Sequence, residues 1–237
     1  PAFLVTELTK RASELQNVEF CHIYTTGAAE YANPKYKDSF FVNSFFMGAN
    51  VRHTIKEGNG SYLPIFFSEM GKVIKTELNV DVVLIQISEP DAHGYCSLGT
   101  SVENIIAAME TSRVVIAQVN KYMPRTFGDA IIHVSKITHF VEHHQLLDVL
   151  DNGSITAEEE KIGSYVAELI DDKSCLQLGI GSIPNAVLNN LNNHKGLGIH
   201  TELFSDGIIP LVKSGVITGE HKELLRGKIV STLVHGS

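Results

Sequence analysis

Cysteine is scarce in this chain: Cys21, Cys96 and Cys175 are odd in number and widely spaced. Such a set builds neither a disulfide frame nor a cysteine-rich metal knot, and it reads as free thiols in a reducing, cytoplasmic setting. Long apolar runs are missing as well. None approaches the ~20 residues that carry a helix across a bilayer, so no membrane partner is expected. Lysine and arginine form no stripe, and 19 of them face 27 acidic residues for a net charge of -8. Nucleic acid is therefore a poor partner. A starting methionine is absent, the opening residues already lie in an amphipathic helical pattern, and the chain closes on a buried-type strand. The expectation is a piece of a longer protein, with an upstream targeting signal left open.

What is present suits a globular protein. The chain is 43% hydrophobic and 19% charged, and its 237 residues suffice for one large or two modest α/β units. Residues 3–15 carry a helical apolar face, 17–24 alternate as a strand, and 27–50 are loop-rich and aromatic, read mainly as core. A helix is expected over 68–78 and a strand over 80–87, the latter apolar enough for burial on both faces. A turn cluster occupies 88–99, with a helix beyond it over 102–111 and a strand over 113–119. This succession predicts an α/β fold with open, mostly parallel sheets and right-handed crossovers, whose ligands sit at the carboxyl ends of strands. Asp151-Asn152-Gly153-Ser154 is a linker signal, dividing the chain into domains 1–152 and 153–237. Thr156 and Glu159 then spell a capping box, and Ile162, Tyr165, Val166, Leu169 and Ile170 mark one face of the next helix.

The stretch around which the second domain is organised runs from residue 174 to 207. A short apolar strand (175–178) enters the glycine loop Gly179-Ile180-Gly181-Ser182-Ile183, and Pro184 opens a helix. A second strand (197–200) runs into Thr201-Glu202. Glycines let a backbone turn sharply, and the free N–H groups of a helix start attract negative charge. One carboxylate, Glu202, thus stands at a strand end near a backbone pocket suited to an anion or a developing oxyanion. Three readings stay open at this level. The loop is a tight turn without a ligand and Glu202 a solvated acid. Or the loop belongs to a dinucleotide site, a weak reading because proline replaces the third glycine of the fingerprint. Or Glu202 attacks an activated acyl group, with the loop amides stabilising the oxyanion. His139, His143 and His144 could share a helix face, but they lack a third ligand of settled geometry, so no metal is expected. Cys96 reads as a small buried residue.

The segments LQLGIGSIPNAVL and GIHTELFSDGIIPLVKSGVITG, supported by EGNGSYLPIFFSEM, QISEPDAHGYCSLGTSVE, VIAQVNKYMPRTFGDAIIHVS and GKIVSTL, resemble the acetyl-CoA hydrolase/transferase family over essentially the whole chain. The resemblance implies two related α/β units of CoA-transferase type, the second cut short here. It implies a ping-pong transfer of coenzyme A between a short-chain acyl-CoA (acetyl, butyryl or 4-hydroxybutyryl in type) and a free carboxylate. Glu202 matches the family's nucleophile and would pass through an acyl anhydride to a glutamyl-CoA thioester. Gly179, Ile180, Gly181, Ser182 and Ile183 match the CoA-binding loop. Coenzyme A is then a substrate and no cofactor is permanently bound. The C-terminal half of the same protein completes the site, so Glu202 is expected to be only half housed here, and self-association follows family habit. The alternatives are an acyl-CoA hydrolase and a non-catalytic CoA- or nucleotide-binding module.

Overall fold

The amphipathic opening folds as α1 (Ala2–Lys10), shorter than the periodicity suggests, because the chain tightens into a 3-10 turn at Ala12–Glu14. The structure is a computed structural model that describes residues 1–149 and 153–236. Alternating residues form β1 (Val18–His22), which pairs in parallel with β2 (Phe40–Ser44). After α2 (His53–Glu57), β3 (Gly60–Tyr62) adds to β2, again in parallel. The aromatic stretch is divided. Tyr31, Phe40 and Phe45 are buried, whereas Phe41 and Phe46 are exposed. Tyr31 and Phe40 pack with Ala32, Val42 and Val51. Fully burying one such large side chain is worth about 1.5–3 kcal/mol, so this small cluster holds β1 and β2 together.

Helix α3 (Phe67–Thr76) buries Met70 and Ile74 and leads to β4 (Val82–Ile87). A short β5 (Tyr95–Ser97), α4 (Ile105–Thr111), β6 (Val114–Val119), β7 (Ile131–His133) and β8 (His139–Glu142) come next. Strands β4, β6 and β8 form a parallel sheet in that order, and β5 pairs antiparallel with β7. Burial along β4 alternates: Val83, Ile85 and Ile87 are buried, Val82 is exposed, and Leu84 and Gln86 are half-covered. One face of that strand carries the core, not both as the apolar run implied. The histidines His139, His143 and His144 share no helix, since β8 begins at His139. His143 stacks on Phe3 with ring centroids 3.7 Å apart, and the His144 ring meets the Lys121 amide and Glu142. Cys96 is fully buried beside the Ile132 carbonyl.

The chain divides into two compact units. One holds Pro1–Gly99 with Asn104–Asp148; the other holds Thr100–Glu103 with Val149–Ser237. The linker signal in the sequence splits the chain at 152/153 and gives no sign of the 100–103 excursion; Asp151 and Asn152 of that signal lie outside the described residues.

In the second unit, α5 (Ala157–Ala167) starts at the expected capping box, with the Glu159 amide donating to the Thr156 hydroxyl and the Thr156 amide to the Glu159 carboxylate. Its buried face is not the expected one. Gly163 and Ala167 are covered, while Ile162, Tyr165 and Val166 are exposed and Leu169 is 83% exposed. Small residues win because they let α5 close on α6 (Ser182–Asn189): a Cβ on Gly163 would lie 2.6 Å from the Ala186 carbonyl carbon. Between these helices in the chain runs β9 (Cys175–Leu176), and beyond α6 come β10 (Gly198–Ile199), β11 (Leu203–Phe204), α7 (Ile208–Lys213) and β12 (Leu233–Val234). Leu188, Leu191, Leu197, Ile199, Ile208 and Leu211 lie in the core of this unit. β9 pairs with β10 and β11 with β12, both in parallel. The helix expected over 102–111 loses its first turn to this unit. Ser101 bridges Leu233 antiparallel and the Val102 amide donates to the Thr232 carbonyl, so the backbone there pairs as a strand does.

Candidate active site

Parallel pairing brings the two halves of the expected site to one sheet edge. Gly198 and Ile199 face Cys175 and Leu176, and the His200 amide donates to the Leu176 carbonyl. Just beyond the paired residues, the buried Thr201 closes the gap. Its hydroxyl accepts from the Leu178 amide at 2.8 Å and donates to the Leu178 carbonyl at 3.0 Å. Leu178 immediately precedes the glycine loop and Thr201 immediately precedes Glu202, so a single side chain fixes the exits of both.

The loop is shorter than the sequence suggested. Gly179, Ile180 and Gly181 lie outside the helix, while Ser182 and Ile183 form its first turn, with Gly181 as its cap. Pro184 is the third helical residue, a position whose missing N–H costs little. Gly181 has φ +124° and ψ -174°, a region open in practice to glycine alone. At Gly179 a Cβ would meet only the Pro184 ring at 3.8 Å, so that glycine is not demanded by space. Ile180 and Ile183 leave apolar side chains exposed. Among the described residues no side chain caps this helix start, so its first amides can meet an anionic group. The Ser182 hydroxyl is engaged elsewhere, donating to Glu159; that bond and the Thr156 amide hold the Glu159 carboxyl below its usual range.

The Glu202 backbone is firmly held, while the residue itself is exposed. Its carbonyl accepts from the Thr232 amide (3.1 Å), the Leu233 amide (3.0 Å) and the Thr232 hydroxyl (3.0 Å). A nucleophilic carboxylate gains from desolvation, and this chain does not supply it. Close to this strand lies Glu103, which sequence reasoning missed. It is half-buried, accepts from the Ser101 hydroxyl at 2.6 Å, and feels the charge of Glu202. Burial pushes its carboxyl up to about 6, against the opposing Ser101 bond and with the Glu202 charge adding to the rise. Nothing in a segment read as helix marks it, because the strand it joins, β12, lies at the far end of the chain. A cavity of about 350 Å³ lined by Cys175, His200, His221, Lys222, Glu223 and Leu224 includes neither Glu202 nor any loop residue. Among the described residues, no helix is long and apolar enough to cross a membrane.

Residues 1–166 match the acetyl-CoA hydrolase/transferase N-terminal domain. The chain is 45% identical to the 4-hydroxybutyrate coenzyme A transferase of Clostridium kluyveri, over 100% of its own length and 56% of that protein's. RipA from Yersinia pestis superposes with a TM-score of 0.95 at 30% identity, covering 100% of this chain and 58% of RipA. A 4-hydroxybutyrate CoA-transferase from Porphyromonas gingivalis gives a TM-score of 0.78 at 32% identity, over 98% of this chain and 64% of its own. The chain spans about half the length of the curated relatives it matches. With its open, mostly parallel sheets and this match across most of its length, the chain belongs to the acetyl-CoA hydrolase/transferase family.

Proposed function

We propose that this chain is the N-terminal part of a CoA-transferase that exchanges coenzyme A between a short-chain acyl-CoA and a free carboxylate, with Glu202 as nucleophile. The observation that carries the reading is the Thr201–Leu178 pair of hydrogen bonds, which ties the strand end before Glu202 to the start of the glycine loop. A Glu202 oxygen attacks the thioester carbonyl, the C–S bond breaks, and CoA leaves as thiolate. The thiolate then attacks the glutamyl carbonyl of the mixed anhydride, expelling the original carboxylate and leaving glutamyl-CoA. An acceptor carboxylate runs the same steps in reverse. The carboxylate and the thioester supply every bond that is made or broken in these steps, and no net proton is consumed. In this reading the uncapped amides at the start of α6 favour the oxyanion or a CoA phosphate. The C-terminal half of the same protein supplies the remaining CoA contacts and the cover that Glu202 lacks, and self-association accompanies it.

The matched family joins hydrolases with transferases, which favours a second reading, the acyl-CoA hydrolase, in which water resolves the same intermediate. Incubating the full-length protein with acyl-CoA, reducing with borohydride and mapping by mass spectrometry tests the nucleophile; absence of any adduct at Glu202 sinks it. Release of CoA that depends on added acetate marks the transferase, and release without it the hydrolase.

A further inference from the structure

Three backbone segments lie side by side at Glu202. The carbonyl of Glu202 accepts from Thr232 and Leu233, and the Thr232 carbonyl in turn accepts from the Val102 amide. Ser101 bridges Leu233, and the Val234 amide donates to the Thr100 carbonyl. The segment 100–103 is thereby one strand removed from Glu202, across β12. Its own Ser101 hydroxyl anchors the Glu103 carboxylate at 2.6 Å. Resting on the assignment of Glu202 as nucleophile, we propose that Glu103 is a positioning residue whose fixed negative charge, set across β12 from Glu202, drives that carboxylate toward its covalent CoA form.

The physical argument is charge relief. In the resting enzyme two carboxylates of one sign flank β12, and the charge of Glu202 is felt at Glu103; like charges raise each other's free energy. On forming glutamyl-CoA, Glu202 becomes a neutral thioester and the negative charge departs on the released carboxylate. One thioester C–S bond breaks, another forms, and the charge is conserved. The repulsion exists only on the side of free enzyme, so it tilts the equilibrium toward the intermediate. The half-buried position of Glu103 sharpens the effect, because solvent screens the pair less than it would at the surface. Burial also raises the carboxyl of Glu103 to about 6, so it is ionised at about pH 7.5. Ser101 matters as the anchor: its donated bond favours the charged form and holds the oxygen in place.

The test measures the ratio of glutamyl-CoA to free enzyme by intact-mass spectrometry, in the full-length protein at about pH 7.5 with fixed acyl-CoA and carboxylate. Glu103→Gln keeps the shape and can still accept from Ser101, but removes the charge. The ratio should fall by about three- to tenfold, as expected when a partly screened like-charge repulsion is removed. Glu103→Asp keeps the charge and should recover much of the ratio. Melting curves and circular dichroism show whether each variant is folded. A ratio within about twofold of the parent for the Gln variant overturns the proposal, as does an Asp variant that falls as far as Gln. If the unaltered protein forms an adduct on a residue other than Glu202, or none, the nucleophile assignment itself is wrong and the role of Glu103 falls with it.

Discussion

Thr201 satisfies both backbone groups of Leu178, accepting from its amide and donating to its carbonyl, and it does so from inside the core. Two main-chain groups that would otherwise be buried without partners are closed by one hydroxyl, at the point where β9 and β10 have stopped pairing. The strand ends therefore leave the sheet together, one into the glycine loop and one into Glu202.

Thr201→Val tests that arrangement, since it keeps the branched shape and deletes the hydroxyl. Orphaning a buried amide or carbonyl costs about 1–3 kcal/mol. The variant should unfold at lower denaturant concentration and exchange the Leu178 amide faster, while Thr201→Ser should recover most of the loss. Unchanged exchange at Leu178 would show that the hydroxyl is incidental.

Glu202→Gln should abolish CoA exchange, by about a thousandfold or more, because a neutral amide cannot attack a thioester. Folding should be untouched, because the strand is held by the carbonyl of Glu202 and the residue is exposed. Turnover close to that of the parent would count directly against the nucleophile.

Gly181→Ala meets no steric neighbour, yet it forces a side chain onto a φ of +124°. Backbone strain there costs about 1–3 kcal/mol and should shift the start of α6. Higher KM for acyl-CoA is the expected result in steady-state kinetics. Gly179→Ala, with open space and no positive φ, should be milder.

Gly163→Ala sets two effects against each other. Helix propensity favours alanine by about 1 kcal/mol. The new methyl would stand 2.6 Å from backbone of Ala186, and backbone cannot swing aside as a flexible side chain can. Overpacking of this kind costs about 1–3 kcal/mol, so the variant should melt lower. A higher melting temperature would mean that α5 and α6 separate more easily than their contact suggests.

His22 makes the first unit sensitive to acid. Its ring meets the Tyr31 hydroxyl at 2.9 Å and the Ser44 hydroxyl at 3.3 Å, and burial pushes its pKa down to about 4, against a backbone bond that raises it. A histidine kept neutral in the fold binds fewer protons than in the unfolded chain. Its contribution is complete above about pH 6.5 and is lost as the pH falls toward about 4, amounting to on the order of 3 kcal/mol. An imidazole titration followed by NMR should place the midpoint near the folded value; a midpoint near the ordinary value of about 6.5 would contradict the burial.

Much of the architecture is legible from local pattern. Alternation in 17–24, the apolar run 80–87 and the Thr156–Glu159 capping box each become the expected element, because short-range sterics and hydrogen bonding decide them. Helix α5 is where periodicity misleads. Its large apolar residues form a face, but close approach to α6 selects the small ones for burial, and no single helix encodes its partner's surface. The start of α4 fails for a related reason, since residues 101 and 102 pair with the segment around β12 and a strand partner outweighs a weak helical preference.

The sequence by itself determined the parallel α/β class, the glycine bend, the candidacy of Glu202 and the family, all of which rest on residue type and spacing along the chain. Only the tertiary structure decided that Ser182 and Ile183 are helical, that Glu202 stands exposed, that Thr201 clamps Leu178, and that Glu103 lies across β12 from Glu202. Those facts depend on which distant backbone a segment pairs with, a long-range choice set by the packing of the whole unit rather than by neighbouring letters.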